Sequence, residues 1–238
     1  MTGPLPRVKP FEAPIAAIGF DADDTLWHNE DSFHAAEVAL VSLLAPWADE
    51  SMVRTKLLEV ERENLTLFGY GVKPFTLSMI EAAIEISGSL VPANTLHELL
   101  EHGKTILRRP TELLPHVSEV VADLAGRYPL LLITKGDLHH QMRKIEESGL
   151  AVHFTGVHVV AEKDPATYER ILRQHAFNPA EFVMVGNSVR SDLLPVLALG
   201  GRGVHVPYHV TWAHEVANVG ESVVPVIQSM AQLLELIP

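Results

Sequence analysis

Short uninterrupted apolar runs recur along the chain, each ended by a polar turn. Residues 15–20 (IAAIGF), 129–133 (PLLLI), 157–160 (VHVV) and 182–185 (FVMV) have this form, and residues 204–206 are a weaker fifth. A strand covered on both faces of a parallel sheet reads as such a run rather than as strict alternation. Three of the runs lead through a turn into a helical pattern: TKGD before LHHQMRKIEESGL, EKDP before ATYERILRQHAF, and GNS before VRSDLLPVLALG. Strands alternating with helices of about 10–15 residues predict βαβ units and a mostly parallel sheet. Residues 115–128 supply the helix before the second strand, and Pro195 is expected to kink the last pattern or to mark its first turn.

Between the first strand and Pro115 the texture changes. Residues 30–68 and 74–108 carry apolar positions at three- and four-residue spacing, as in FHAAEVALVSLLAPW and FTLSMIEAAIEI, with no strand pattern. Gly69, Gly71 and Pro74 interrupt this region, which predicts two helices that break there and expose a loop. The expected organisation is an α/β core from residues 1–28 and 112–238, with residues 29–111 as an all-helical insertion.

Composition narrows the function classes. The 238 residues are 47% hydrophobic and 20% charged, enough for a sizeable core and unlike a disordered chain. Thirty acidic against eighteen basic residues give a charge of −12, which disfavours nucleic acid and anionic membrane surfaces as partners. The absence of cysteine removes disulfides, thiolate metal sites and thiol catalysis. The proline-bearing start, MTGPLPRVKPFEAP, is unlike a signal peptide, and no run approaches the roughly 18 apolar residues of a membrane span. A cytoplasmic protein is expected.

In a parallel sheet the ligand crevice lies beyond the carboxyl ends of the strands. The first end reads Asp21-Ala22-Asp23-Asp24-Thr25. Two carboxylates in one turn suit a hard cation and a division of labour between nucleophile and proton carrier, or else simply cap the next helix. The second end, Thr134-Lys135-Gly136-Asp137, offers a hydroxyl and a flexible backbone to a phosphoryl oxygen. At the third, Lys163 is a compact positive charge; at the fourth, Asn187 and Asp192 are oxygen donors for a metal. Taken separately, these three ends also suit ordinary loops and helix caps.

Taken together and in this order, the four ends resemble the motifs of the haloacid dehalogenase-like superfamily of hydrolases, with FDADDTLW as the specific part. The resemblance implies a Rossmann-like three-layer core and identifies the insertion with that superfamily's helical cap. It further implies Asp21 as nucleophile, Asp23 as general acid/base, Thr134 with Lys135 and Gly136 as the phosphate-binding segment, and Lys163 as the stabilising cation. Asp21, Asp23, Asn187 and Asp192 would hold Mg²⁺. The implied reaction is hydrolysis of a small-molecule phosphate monoester through an aspartyl-phosphate, by a monomer or homodimer.

Asn187 departs from the pattern, since most phosphatases of the superfamily carry Asp there. Together with Ser188 it brings the fourth turn closer to the 2-haloacid dehalogenases, an alternative activity that needs neither a metal nor the acid Asp23. A non-catalytic protein that binds a phosphorylated ligand is the other alternative. In the insertion, Phe68, Tyr70 and Lys73 are candidates for selecting the substrate, or belong to a plain helix–helix turn. His209, Trp212 and His214 follow the fifth strand and either line the same side or serve packing and solvation.

Overall fold

A computed structural model describes residues 10–210 and 224–238. Five strands form one sheet in the order β3-β2-β1-β4-β5: β1 (Ala17–Phe20), β2 (Leu130–Lys135), β3 (Gly156–Val160), β4 (Phe182–Gly186) and β5 (Arg202–His205). The pairs β1–β2, β1–β4 and β4–β5 are parallel. Each predicted apolar run is thus a strand, and β1, the central one, is where the strand order reverses direction.

Successive strand residues point to opposite faces, and the core divides accordingly. Ile18, Phe20, Leu130, Leu132, Val183 and Val185 share one cluster with Val117, Val120, Val121 and Leu124 of α5 (Val117–Ala125) and with Leu233 and Leu236 of α9 (Leu233–Leu236). Ala17, Leu131, Ile133, Phe182 and Met184 share the other with Tyr168, Ile171 and Leu172 of α7 (Pro165–Gln174) and Val196 of α8 (Leu194–Ala198). Helices on both faces of a parallel sheet make the three-layer α/β architecture. At the centre Gly19 is required by contact: a Cβ there would lie 2.4 Å from the Phe182 ring.

Local signals set the helix boundaries. Asp164 caps α7, accepting from Thr167 N at 2.7 Å, and Pro165 opens its first turn. Pro195 likewise sits in the first turn of α8, after a wide π-type turn over Val189–Leu193.

By its contacts the chain divides into two compact units: Met1–His28, Thr111–Thr134 and Met142–Pro238 form the first, Asn29–Pro110 and Lys135–Gln141 the second. The second holds α1 (Glu30–Leu44), α2 (Glu50–Phe68), α3 (Val72–Ile86) and α4 (Ala93–Arg108) around Leu40, Leu57, Met79 and Leu99. The helix break at Gly69 and Gly71 is where the pattern places it, with φ of 73° and 115° that only glycine adopts easily. Two further breaks correct the reading of one helix on either side of that loop. The chain turns at Pro46, between α1 and α2, and over Gly88 to Pro92, between α3 and α4, where proline and positive-φ residues end the helical ladder.

On β3, His158 Nε2 meets His175 Nε2 at 2.9 Å, with the rings edge to face. Burial, then the nearby His175 and Arg170, hold the His158 pKa below its ordinary 6.5. The unfolded chain therefore binds this proton first, so the contribution is complete above pH 6.5 and is lost as pH falls below it. Urea unfolding from pH 7.5 to 5.5 is expected to show stability falling with pH, and His158→Gln to flatten that fall; an unchanged slope in the variant would contradict the assignment.

Candidate active site

The first unit's polar centre is built on the carboxyl end of β1. Asp21 N donates to Val185 O at 2.9 Å, which extends the β1–β4 ladder by one residue and holds Asp21 at the strand end. The chain then winds into a tight turn in which Leu26 N reaches Ala22 O at 2.8 Å and Asp24 takes a left-handed φ of 62°. This turn brings Thr25 back under Asp21, where its hydroxyl donates to Asp21 Oδ2 at 2.9 Å and accepts from Asn187 N at 3.0 Å. Register sets the flanks: Phe20 pairs with Leu132 and with Val185, so Thr134 near the end of β2 and Asn187 just past the end of β4 lie on either side of the turn at Ala22.

Lys163, which follows β3, joins two of the acids. Its ammonium contacts Asp21 Oδ1 and donates to Asp192 Oδ1 at 2.7 Å, and all three side chains are buried. Asp192 Oδ2 accepts from Ser188 N at 2.9 Å, and a Cβ on Gly186 would lie 2.2 Å from that oxygen, so the last residue of β4 must be glycine for Asp192 to reach its place. The next turn is fixed by Ser188 Oγ, which accepts from Ser191 N at 3.0 Å, and by Tyr168 OH, which donates to Ser191 O at 3.1 Å.

The charge balance follows from this geometry. Burial and then the Asp192 charge push the Asp21 pKa up to about 7, although Lys163 pulls it down. Burial alone would lower the Lys163 pKa, but Asp192 and Asp21 outweigh it and hold the ammonium well above its ordinary value. Two buried carboxylates sharing one ammonium leave an excess negative charge, which fits a further cation beside them. The oxygen donors for it are the Asp21 and Asp192 carboxylates and Asn187 Oδ1, which lies 3.4 Å from Thr25 Oγ1. Among the described residues no group of three or more acidic or histidine side chains forms a metal cluster. Two carboxylates and an amide oxygen match a hard cation such as Mg²⁺ that keeps several waters.

Asp23 is held differently from the other acids. Its Oδ1 accepts from Trp27 Nε1 at 2.6 Å and from Lys144 Nζ at 2.5 Å, and its charge adds to the upward push on the Asp21 pKa. Neither Lys144 nor the Trp27 indole was visible as a partner in the sequence. The signal for Lys144 was its place beside Ile145 and three residues after Gln141 on the buried face of α6 (Leu138–Glu147). Thr25 closes the first motif, yet nothing in the sequence assigns it a role.

Lys135 and Gly136 fall in the second unit. There the Lys135 ammonium lies 4.2 Å from the centre of the Tyr70 ring, and Lys73 pairs with Asp137 at 2.8 Å. Phe68 is half exposed in the same unit. In the first unit the His209 ring lies tilted at 40° against Tyr208, whose hydroxyl is 2.6 Å from His28 Nδ1, and His205 Nε2 meets Asn187 O at 3.0 Å. Trp212 and His214 lie outside the described residues.

A family model for haloacid dehalogenase-like hydrolases matches residues 15–200. The chain belongs to the haloacid dehalogenase-like hydrolases. Among solved structures, a haloacid dehalogenase-like family hydrolase from Xanthomonas campestris is 41% identical, covers 92% of each chain and superposes with a TM-score of 0.81. A predicted phosphoglycolate phosphatase from Haemophilus somnus 129pt is 18% identical over 94% of this chain and 99% of that one, with a TM-score of 0.61. A 2-haloacid dehalogenase from Pseudomonas syringae pv. tomato DC3000 is 20% identical over 93% and 97%, with a TM-score of 0.60. A search of curated proteins found no match. In this hydrolase no helix among the described residues is long and apolar enough to cross a membrane.

The charge balance predicts opposite stability effects for two substitutions. Without added divalent cation, Asp21→Asn removes one of two carboxylates sharing an ammonium and is expected to raise the unfolding midpoint. Lys163→Met leaves both carboxylates buried without their partner and should cost about 3–5 kcal/mol. Denaturant unfolding of the two variants checks this, and a destabilised Asp21→Asn would contradict the balance.

Proposed function

We propose that this hydrolase is a Mg²⁺-dependent phosphatase acting on a small-molecule phosphate monoester through an aspartyl-phosphate. The observation that carries the reading is a second carboxylate, Asp23, in the same turn as the lysine-bound Asp21 and held by N–H donors of its own. Displacement of halide from carbon needs only the nucleophile, whereas expulsion of an alcohol needs a proton.

In the first half-reaction an oxygen of Asp21 attacks phosphorus in line. The bond to the leaving oxygen breaks as that oxygen takes a proton from Asp23. In the second, water attacks the same phosphorus, Asp23 takes its proton, and the bond between Asp21 and phosphorus breaks. Lys163 keeps Asp21 oriented and offsets charge on the phosphoryl group. The Thr134 hydroxyl and the Lys135–Gly136 backbone are assigned to the phosphoryl oxygens, and Asp21, Asp192 and Asn187 to the cation; Asp23, expected with them from the resemblance, is assigned the proton instead because its carboxylate is held by Trp27 and Lys144. When bound, Mg²⁺ supplies positive charge to oxygens that become more negative in the transition state. By the same resemblance the helical unit is assigned the choice of substrate, with Phe68, Tyr70 and Lys73 as its candidate residues.

A second reading, 2-haloacid dehalogenase, draws on Asn187 and Ser188 in the fourth turn and on the direct Lys163 bridge from Asp21 to Asp192. Assaying para-nitrophenyl phosphate with and without Mg²⁺ separates the two. The expected result is Mg²⁺-dependent release, lost by at least about 10³-fold in Asp21→Asn, with a weakened Mg²⁺ response in Asp192→Ala. Halide release from 2-chloropropionate without metal, and no phosphate release, would replace the phosphatase reading with the dehalogenase one.

A further inference from the structure

Lys144 is a buried cation that the reaction sequence above leaves without a task. Its side chain is 8% exposed and its ammonium donates to Asp23 Oδ1 at 2.5 Å. Trp27 Nε1 donates to the same oxygen at 2.6 Å, and Trp27 is fully buried. The Lys144 ammonium also lies 6.0 Å from the centre of the Trp27 ring, within cation–π range. Each of the three side chains therefore braces the other two.

The backbone prepares this arrangement from two sides. Asp23 and Trp27 are four residues apart in the turn after β1, where Asp24 N donates to Trp27 O at 2.8 Å and Trp27 bridges onto Leu113. From α6, Lys144 enters on the helix face that also buries Gln141 and Ile145. Lysine is seldom buried without a partner, and a Met or Leu at 144 would fill the space against Trp27 without desolvating a charge. What the ammonium adds is a directed contact to one carboxylate oxygen.

We propose that Lys144, acting with Trp27, is a positioning residue for the proton carrier Asp23, an inference that rests on the phosphatase reading. Two donors on Oδ1 fix the carboxylate's orientation. In the first half-reaction the proton passes from Asp23 to the leaving oxygen as the phosphorus–oxygen bond breaks. In the second, Asp23 takes the proton of water as its oxygen bonds to phosphorus and the bond between Asp21 and phosphorus opens. Loss of the brace leaves Asp21 chemistry in place and impairs the step that needs a proton.

The dependence on leaving group isolates that step, because para-nitrophenolate departs without a proton and an alkoxide does not. Steady-state kinetics on para-nitrophenyl phosphate and β-glycerophosphate would compare the wild type with Lys144→Met, Lys144→Gln, Lys144→Arg, Asp23→Asn and the double variant Asp23→Asn/Lys144→Met. Lys144→Met is expected to lower kcat/KM, which reports only the steps up to the first phosphoryl transfer, at least about tenfold more on β-glycerophosphate than on para-nitrophenyl phosphate. Lys144→Arg should recover part of the loss, and the double variant should be no worse than Asp23→Asn. Equal losses on both esters, or losses that multiply in the double variant, would overturn the proposal in favour of a purely structural lysine. If Lys144→Met does not fold by circular dichroism, Lys144→Gln carries the same comparison. Equal loss on both esters in Asp23→Asn would remove the proton-carrier role of Asp23 and this inference with it. A wild type that hydrolyses neither ester would overturn the phosphatase reading itself.

Discussion

The ammonium of Lys163 between the buried carboxylates of Asp21 and Asp192 is the interaction on which the rest of the centre depends. Carboxylates taken out of water side by side beyond a sheet edge of strand ends repel one another and lose solvation, so the fold tolerates them only with a cation fixed between them. One ammonium does not neutralise two acids. Burial, and then the remaining negative charge, raise the Asp21 pKa to about 7 and make the position a place where a further cation or a proton is stabilised. A centre of this kind lowers the stability of the resting protein in exchange for a charge arrangement that suits a reacting anion.

The sheet gives this interaction its location. β1 lies where the strand order reverses, between β2 and β4, and the crevice beyond that reversal is the usual ligand site of an open parallel sheet. Asp21 leaves β1 into this crevice, Asp192 is admitted only because β4 ends in Gly186, and Lys163 arrives from the turn after β3. The left-handed Asp24 closes the turn so that Thr25 returns to Asp21 while Asp23 faces Lys144 and Trp27. Two acids two residues apart thus receive different partners, as a nucleophile and a proton carrier require.

Much of this was legible in the sequence because it depends on local pattern. The apolar runs became strands since a strand buried on both faces has little choice of residue, and Gly69 and Gly71 broke the helices where a positive φ was needed. The helix breaks at Pro46 and Gly88 leave little mark on the pattern because apolar positions on either side keep helical spacing across them. Asp21, Thr134, Lys163 and Asn187 could be named because each comes just after an apolar run. The Lys144–Asp23 pair spans 121 positions, and no spacing rule links a helix-borne lysine to a strand-end acid that far away. The contacts of Lys135 with Tyr70 and of Lys73 with Asp137 are of the same long-range kind and give no local sequence signal.

The central claim is that Asp21 is a nucleophile for phosphorus. Trifluoroberyllate, which mimics a phosphoryl group on aspartate, tests it most directly through ¹⁹F NMR of the protein with beryllium and fluoride. The account predicts protein-bound fluorine resonances that require Mg²⁺ and vanish in Asp21→Asn. Their absence in an enzyme that turns over phosphate esters, or their persistence in Asp21→Asn, would contradict it.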